Sequence, residues 1–214
     1  MSKIRTSIDL QTRLDEDFVW RIREISEMKI SVRTAKANRD KTLVRAGIAL
    51  LYAHWEGFIK NASQYYLEFV ASQRLPYKDL KNCFIVFGLK KELDMIISSK
   101  QHAKNVRVIE FLKDELLNRA ELSFKGAIDT ESNLSSTVFA NIAESVGVDT
   151  TPYQTKYNFI DESLLSRRNQ IAHGEFLDIS PEEYPDLSNE VVNLLRAYKT
   201  DIENCLVLKT YMAT

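Results

Sequence analysis

The sequence predicts an all-α fold: a four-helix bundle core carrying additional short helices. Three observations predict it. Only 6 Gly and 4 Pro occur in 214 residues, too few for a chain of many tight turns, which favours long helices over strands. Apolar residues recur at three- and four-residue spacing over long stretches, the signature of buried helix faces. Hydrophobic residues make up 44% of the chain, enough to bury a core in one domain of ordinary size.

The elements follow in order. A first helix is predicted over about Leu10 to Thr34, where Leu10, Leu14, Phe18, Ile22, Ile25 and Met28 form one stripe. A second runs from about Asp40 to Ser72. Its Leu51, Trp55, Phe58, Ala62, Tyr65 and Phe69 repeat by four, three, four, three and four, and Ile48, Tyr52, Ile59, Tyr66 and Val70 widen the stripe. A helix apolar over so much of its surface is central in a bundle. Pro76 breaks the chain.

Cys83 to Ser98 reads as a helix, with a strand as the alternative for its β-branched start. "NVRVIEFLKDELLN" is another helix or the continuation of that one. Gly126 to Ser136 is polar and rich in turn formers, so it is expected to be a surface loop. "TVFANIAESVG" is a short helix ending at Gly147, and the chain around Pro152 is irregular. "YNFIDESLLSRRNQIAH" is a penultimate helix stopped by Gly174. The last helix is expected to open on "SPEE", with Ser180 as N-cap and Glu183 closing a capping box, and to run to about Leu208. The whole chain reads as a single domain.

Several function classes are excluded. The net charge of -1 rules out a globally basic surface, so contact with nucleic acid would use a local patch. No apolar run approaches the roughly 20 residues of a membrane span, and "MSKIRTSIDL" lacks the apolar segment of a secretion signal. A cytoplasmic protein with no membrane partner is expected. No GxxxxGK[ST] or GxGxxG occurs, so no phosphate loop is signalled. The histidines, His54, His102 and His173, include no HExxH, and Cys83 and Cys205 stand alone. Neither a metal nor a cofactor is expected.

One short stretch concentrates reactive chemistry: "SRRNQIAHGEF", Ser166 to Phe176. Asn169 and His173 are four apart, about 40° around a helix, and share a face. Arg168 lies about 140° from His173 on the same geometry. The pair therefore converges only across a two-fold contact, or if the helix unwinds before Gly174. Arginine holds a phosphate with a planar, permanently charged fork, and histidine moves protons near neutral pH. Together they supply what RNA cleavage without a metal requires. The plain alternative is that Arg167 and Arg168 complement the dipole of a helix C-terminus and His173 caps it.

"RRNQIAHG" resembles the signature of the HEPN superfamily, in which an arginine is followed by a polar residue and, four to six positions after the arginine, a histidine. Arg168, Asn169 and His173 fill those places. "LVRAGIALLYAHWEGFIKNASQYY" is similar to the second helix of the RiboL-PSP-HEPN branch. The resemblance covers roughly residues 10–73 and 155–210; residues 75–150 find no counterpart. It implies a homodimer whose two motifs face each other across one RNA-binding cleft. Many such proteins are metal-independent ribonucleases that leave a 2′,3′-cyclic phosphate, and many act as toxins or antiviral effectors with an antitoxin or other defence protein as partner. On that resemblance Arg168 stabilises the scissile phosphate, His173 is the acid–base or positioning group, and Asn169 orients it. Arg167, at a spacing of six, is the alternative arginine. Glu175 stands where a subset of the family carries a modified tyrosine. Members that have lost activity bind RNA, a nucleotide or a protein.

Glu175, Glu56 and His54 are candidate supporting groups. Glu56 either pairs with Lys60 or reaches an arginine of the motif. His54, Asn61, Gln64 and Glu68 share a face with Gly57 and either line a cleft or form a buried or solvated polar stripe. Lys29, Arg33, Lys36, Arg39, Lys41 and Arg45, with Asp40 the one acid among them, are either a phosphate-tracking patch or a solvated helix junction.

Overall fold

The computed structural model describes residues 3–35, 40–177 and 179–213. Among them the chain is all-α, with no strand and only two isolated bridges, Pro76 to Arg119 and Leu80 to Met212. Helix α1 spans Ser7–Thr34. It starts three residues before the first apolar residue of its stripe because "TSID" is a capping box. Thr6 Oγ1 accepts from Asp9 N–H at 3.1 Å, and the Asp9 carboxylate accepts from Thr6 N–H at 2.9 Å. Helix α2 spans Asp40–Gln73, about 50 Å long at 1.5 Å per residue. It packs against α1 on one side and against α7, Tyr184–Val207, and the motif helix on others, while α1 and α7 also meet. The central position expected of α2 is its observed one.

Helices α3, Asn82–Ser98, and α4, His102–Glu115, form a hairpin. The β-branched start of α3 is helical, with Phe84 and Leu89 buried in the core. Helix α5, Ser136–Ser145, is N-capped by Ser135, whose hydroxyl accepts from Val138 N–H at 3.2 Å. Phe139 of α5 inserts between Trp55, Tyr153 and Tyr198, with ring centroids 5.0–5.7 Å apart, which binds the middle of the chain to the bundle.

The penultimate helix is built in three winds. A 3₁₀ segment, Thr151–Lys156, leads to a π-helical segment, Phe159–Ser166, and then to α6, Arg167–Ala172. The region around Pro152 is therefore wound rather than irregular. Asp161, in the first turn of the π-helical segment, accepts from Ser136 N–H at 2.7 Å and from Ser136 Oγ at 2.6 Å, anchoring the start of α5.

One expected start is corrected. Ser180 does not cap the last helix, which begins at Tyr184 with no side-chain cap. Ser180 to Glu183 closes as a separate turn, Glu183 N–H to the Ser180 carbonyl at 3.1 Å. Pro185 explains this: lacking an N–H, it cannot donate to the carbonyl four residues back, so a helix running on from Pro181 would lose a bond there.

No helix among the described residues is long and apolar enough to cross a membrane.

Candidate functional site

The motif sits at the very end of α6. Gly174, at φ +74°, takes the left-handed conformation that closes a Schellman motif. Glu175 N–H donates to the Gln170 carbonyl at 2.9 Å and Gly174 N–H to the Ile171 carbonyl at 3.1 Å. His173 keeps a regular helical bond, its N–H to the Asn169 carbonyl at 2.9 Å, so the helix does not unwind before the glycine. The imidazole of His173 is exposed. Beyond it, Arg45 of α2 donates from Nη1 to the Glu175 carbonyl at 2.8 Å, fixing the direction in which the chain leaves.

Arg168 points the other way, onto α2 and the loop before α5. Its guanidinium carbon lies 4.0 Å from the centroid of the Tyr52 ring, a cation–π contact. Nη2 donates to Asn133 Oδ1 at 2.9 Å and to the Ser132 carbonyl at 3.2 Å. The acceptors are held by a strained turn: Glu131 and Ser132 are consecutive non-glycine residues in the left-handed region, at φ +54° and +59°. Leu134 N–H donates to Tyr52 Oη at 2.6 Å, so one loop grips both the ring and the cation stacked on it. Burial pushes the Tyr52 hydroxyl up from its ordinary pKa, the nearby Glu56 carboxylate adds to that, and Arg168 opposes it. Nε of Arg168 is buried without a partner. Among the described residues no carboxylate pairs with Arg168.

Within one chain, then, no hydrogen bond joins Arg168 to His173. Arg167 faces away from both, its Nη2 3.6 Å from the Glu183 carboxylate. Asn169 is half-buried, with its carbonyl engaged by His173. Glu56 lies on the Tyr52 side of α2, within electrostatic range of its hydroxyl.

His54 is turned to α1 instead. It is buried, stacks edge-on against Trp20 at 5.2 Å, and has Glu24 Oε2 2.9 Å from Nε2 but out of line for a hydrogen bond. Of its polar stripe, Asn61 reaches Asp17 at 3.4 Å, Gln64 donates to the Phe124 carbonyl, and Glu68 accepts from Ile4 N–H at 3.1 Å. The stripe is a set of internal ties, not a cleft wall. The basic residues divide too. Lys29 donates to Asn189 Oδ1 at 2.7 Å and Arg45 is engaged as above, while Arg33 and Lys41 are exposed. Lys36 and Arg39 lie outside the described residues.

Sequence reasoning missed Tyr52, Ser132 and Asn133. The signal available was thin: a tyrosine four residues before Glu56 on an otherwise apolar helix, and "TESN", a run of turn formers tolerant of left-handed backbone.

Among the described residues the chain is all-helical, which fits the class of HEPN-type domains. A family profile described as RiboL-PSP-HEPN matches residues 16–204, and the chain belongs to that family. The match runs through residues 75–150 as well. Membership supports a nuclease or RNA-binding module; domains of this kind commonly bind RNA and dimerise. No curated protein and no solved structure matches the chain.

Proposed function

We propose that this protein is a metal-independent endoribonuclease, working as a homodimer in which two copies of the motif share one cleft, and that its biological setting is that of a toxin or antiviral effector. The observation that carries this is the state of Arg168. It is fixed by an aromatic face and two neutral acceptors, with no carboxylate on it. Its positive charge is therefore oriented but not cancelled, which is what a phosphate-binding arginine needs. Arg167, in contrast, already has Glu183 opposite it.

In the proposed reaction the ribose 2′-oxygen attacks the adjacent phosphorus as its proton passes to a neutral His173. The bond from phosphorus to the 5′-oxygen breaks, and that oxygen leaves with a proton from the second, protonated His173. The products are a 2′,3′-cyclic phosphate and a 5′-hydroxyl. Arg168 stabilises the charge on the non-bridging oxygens, and the two histidines act as base and acid. Asn169 orients His173. Because Arg168 and His173 lie apart in one chain, the arrangement is complete only when two chains meet.

The test compares wild type with Arg168→Ala and His173→Ala on single-stranded and structured RNAs with EDTA present. Wild type should cut and leave cyclic phosphate ends, and both variants should be crippled. Undiminished cleavage in both sinks the proposal. Wild type that binds RNA and never cuts it favours the family's inactive, RNA-binding kind. Damage from Arg167→Ala in place of Arg168→Ala overturns the choice of arginine.

A further inference from the structure

Helix α4 is the element that the core explains least. None of its residues is fully buried, and it packs on α3. Its half-buried residues Asn105, Val108, Leu112, Glu115 and Leu116 form the side turned to the protein. About a third of a turn round the helix, Val106, Glu110, Lys113 and Leu117 recur by four, three and four, and all are exposed, Leu117 to 69%. Leu117 lies past the last residue of α4, but its N–H still reaches the Asp114 carbonyl at 3.3 Å, so the turn carries on. Ile109, 44% exposed, flanks this stripe. Among the described residues Glu110 and Lys113 have no ion pair.

The order along the stripe is apolar, acidic, basic, apolar. Reversed, it is its own complement. An antiparallel pair of α4 helices about a two-fold axis between Phe111 and Leu112 sets Val106 against Leu117 of the second copy, and Glu110 against Lys113 of the second copy. A parallel pair would oppose Glu110 to Glu110 and Lys113 to Lys113. A two-fold contact requires only that the same patch meet itself, and of the two arrangements it allows the charge order selects the antiparallel one.

We infer that this stripe is a self-association surface, on which α4 pairs antiparallel with α4 of a second copy. Two helices of about 20 Å bury less than the roughly 800 Å² per partner of a stable complex, so the contact is a weak, concentration-dependent one. It is separate from the two-fold contact proposed at the motif and does not depend on the ribonuclease reading.

The experiment is sedimentation velocity on the full chain over a concentration series, with helix content checked by circular dichroism. Glu110→Lys and Lys113→Glu should each weaken self-association about tenfold or more, because each puts like charges opposite twice per dimer. The double exchange should restore it to within about threefold of wild type, and Ile109→Asp should weaken it in every background. Wild type that stays monomeric at high concentration overturns the inference. So does self-association that survives both single charge reversals, the result expected if copies meet only through the motif. Folded single variants that weaken association without rescue by the double exchange overturn the antiparallel register.

Discussion

Two arginines lie on two sides of α2, each stacked on an aromatic ring, and they are held by opposite chemistry. Arg21 of α1 lies 4.5 Å from the Trp20 ring centroid. Nε and Nη2 grip the Asp17 carboxylate at 3.1 and 3.2 Å, and Nη1 donates to the His54 carbonyl at 3.4 Å. Asp17 and Arg21 are both buried. Arg168, over Tyr52, has neutral acceptors on one nitrogen and a share of solvent. The first cation is neutralised and sealed; the second is aimed and left charged. Burial of an ion pair locks geometry but leaves nothing to offer a ligand, whereas a cation fixed by a ring and by carbonyl-type oxygens keeps its attraction for an anion.

Removing each arginine should therefore break different things. Arg168→Ala is expected to lower RNA cleavage about a thousandfold, the scale of losing a main stabiliser of transition-state charge, with a stability cost of about 1 kcal/mol. Arg21→Ala strands Asp17 in the interior and should cost about 3–5 kcal/mol, leaving activity intact in whatever fraction remains folded. Denaturant melts and initial rates on the same preparations read both quantities. Equal damage to stability from the two changes would mean that Arg168 is as structural as Arg21.

A sharper change makes the second site resemble the first. Asn133→Asp places a carboxylate 2.9 Å from Nη2 and turns a neutral clamp into an ion pair. Cleavage should fall about tenfold or more as the charge offered to phosphate is cancelled, while stability holds or rises slightly. Unchanged or faster cleavage would show that the charge of Arg168 is not what the reaction uses.

How much of this was legible in the sequence follows from range. The apolar stripes of α1, α2 and α7 are local periodicities, and the structure confirms the helices they predict. Gly174 and the helix end at His173 were legible for the same reason. The clamp on Arg168 was not: Asn133 and Ser132 lie 35 and 36 residues away, in a polar loop whose composition says only that it turns. The π-helical winding before α6 has no composition of its own, since any helix former tolerates it. At the N-terminus the apolar stripe alone sets the helix start too late, because the capping box at Thr6 begins the helix before the first stripe residue.

The sealed side offers a smaller test. Gly57 faces Arg21, and a Cβ there would come within 2.8 Å of Nη1. Gly57→Ala should cost about 1–2 kcal/mol by pushing the guanidinium off its carboxylate, with no effect on cleavage per folded molecule. A neutral result in melts would mean that the Asp17–Arg21 pair has slack the packing does not suggest.

The smallest effect concerns pH. Burial holds the His54 imidazole below its ordinary pKa, Arg21 pushes in the same direction, and Glu24 and Asp17 oppose them. The unfolded chain, with a histidine near the ordinary value of about 6.5, takes up a proton first as pH falls. Between that value and the lowered one the unfolded state binds more protons, so stability decreases with falling pH; above about 6.5 the contribution is fully present. Wild type should thus melt at lower urea near pH 5.5 than near pH 7.5, and His54→Gln, which cannot titrate, should lose less between the two. Since His54 turns to α1 and not to the motif, that variant should also leave the pH profile of cleavage unmoved. A profile that shifts with His54→Gln would couple the two sides of α2 and undo the division between a sealed arginine and an open one.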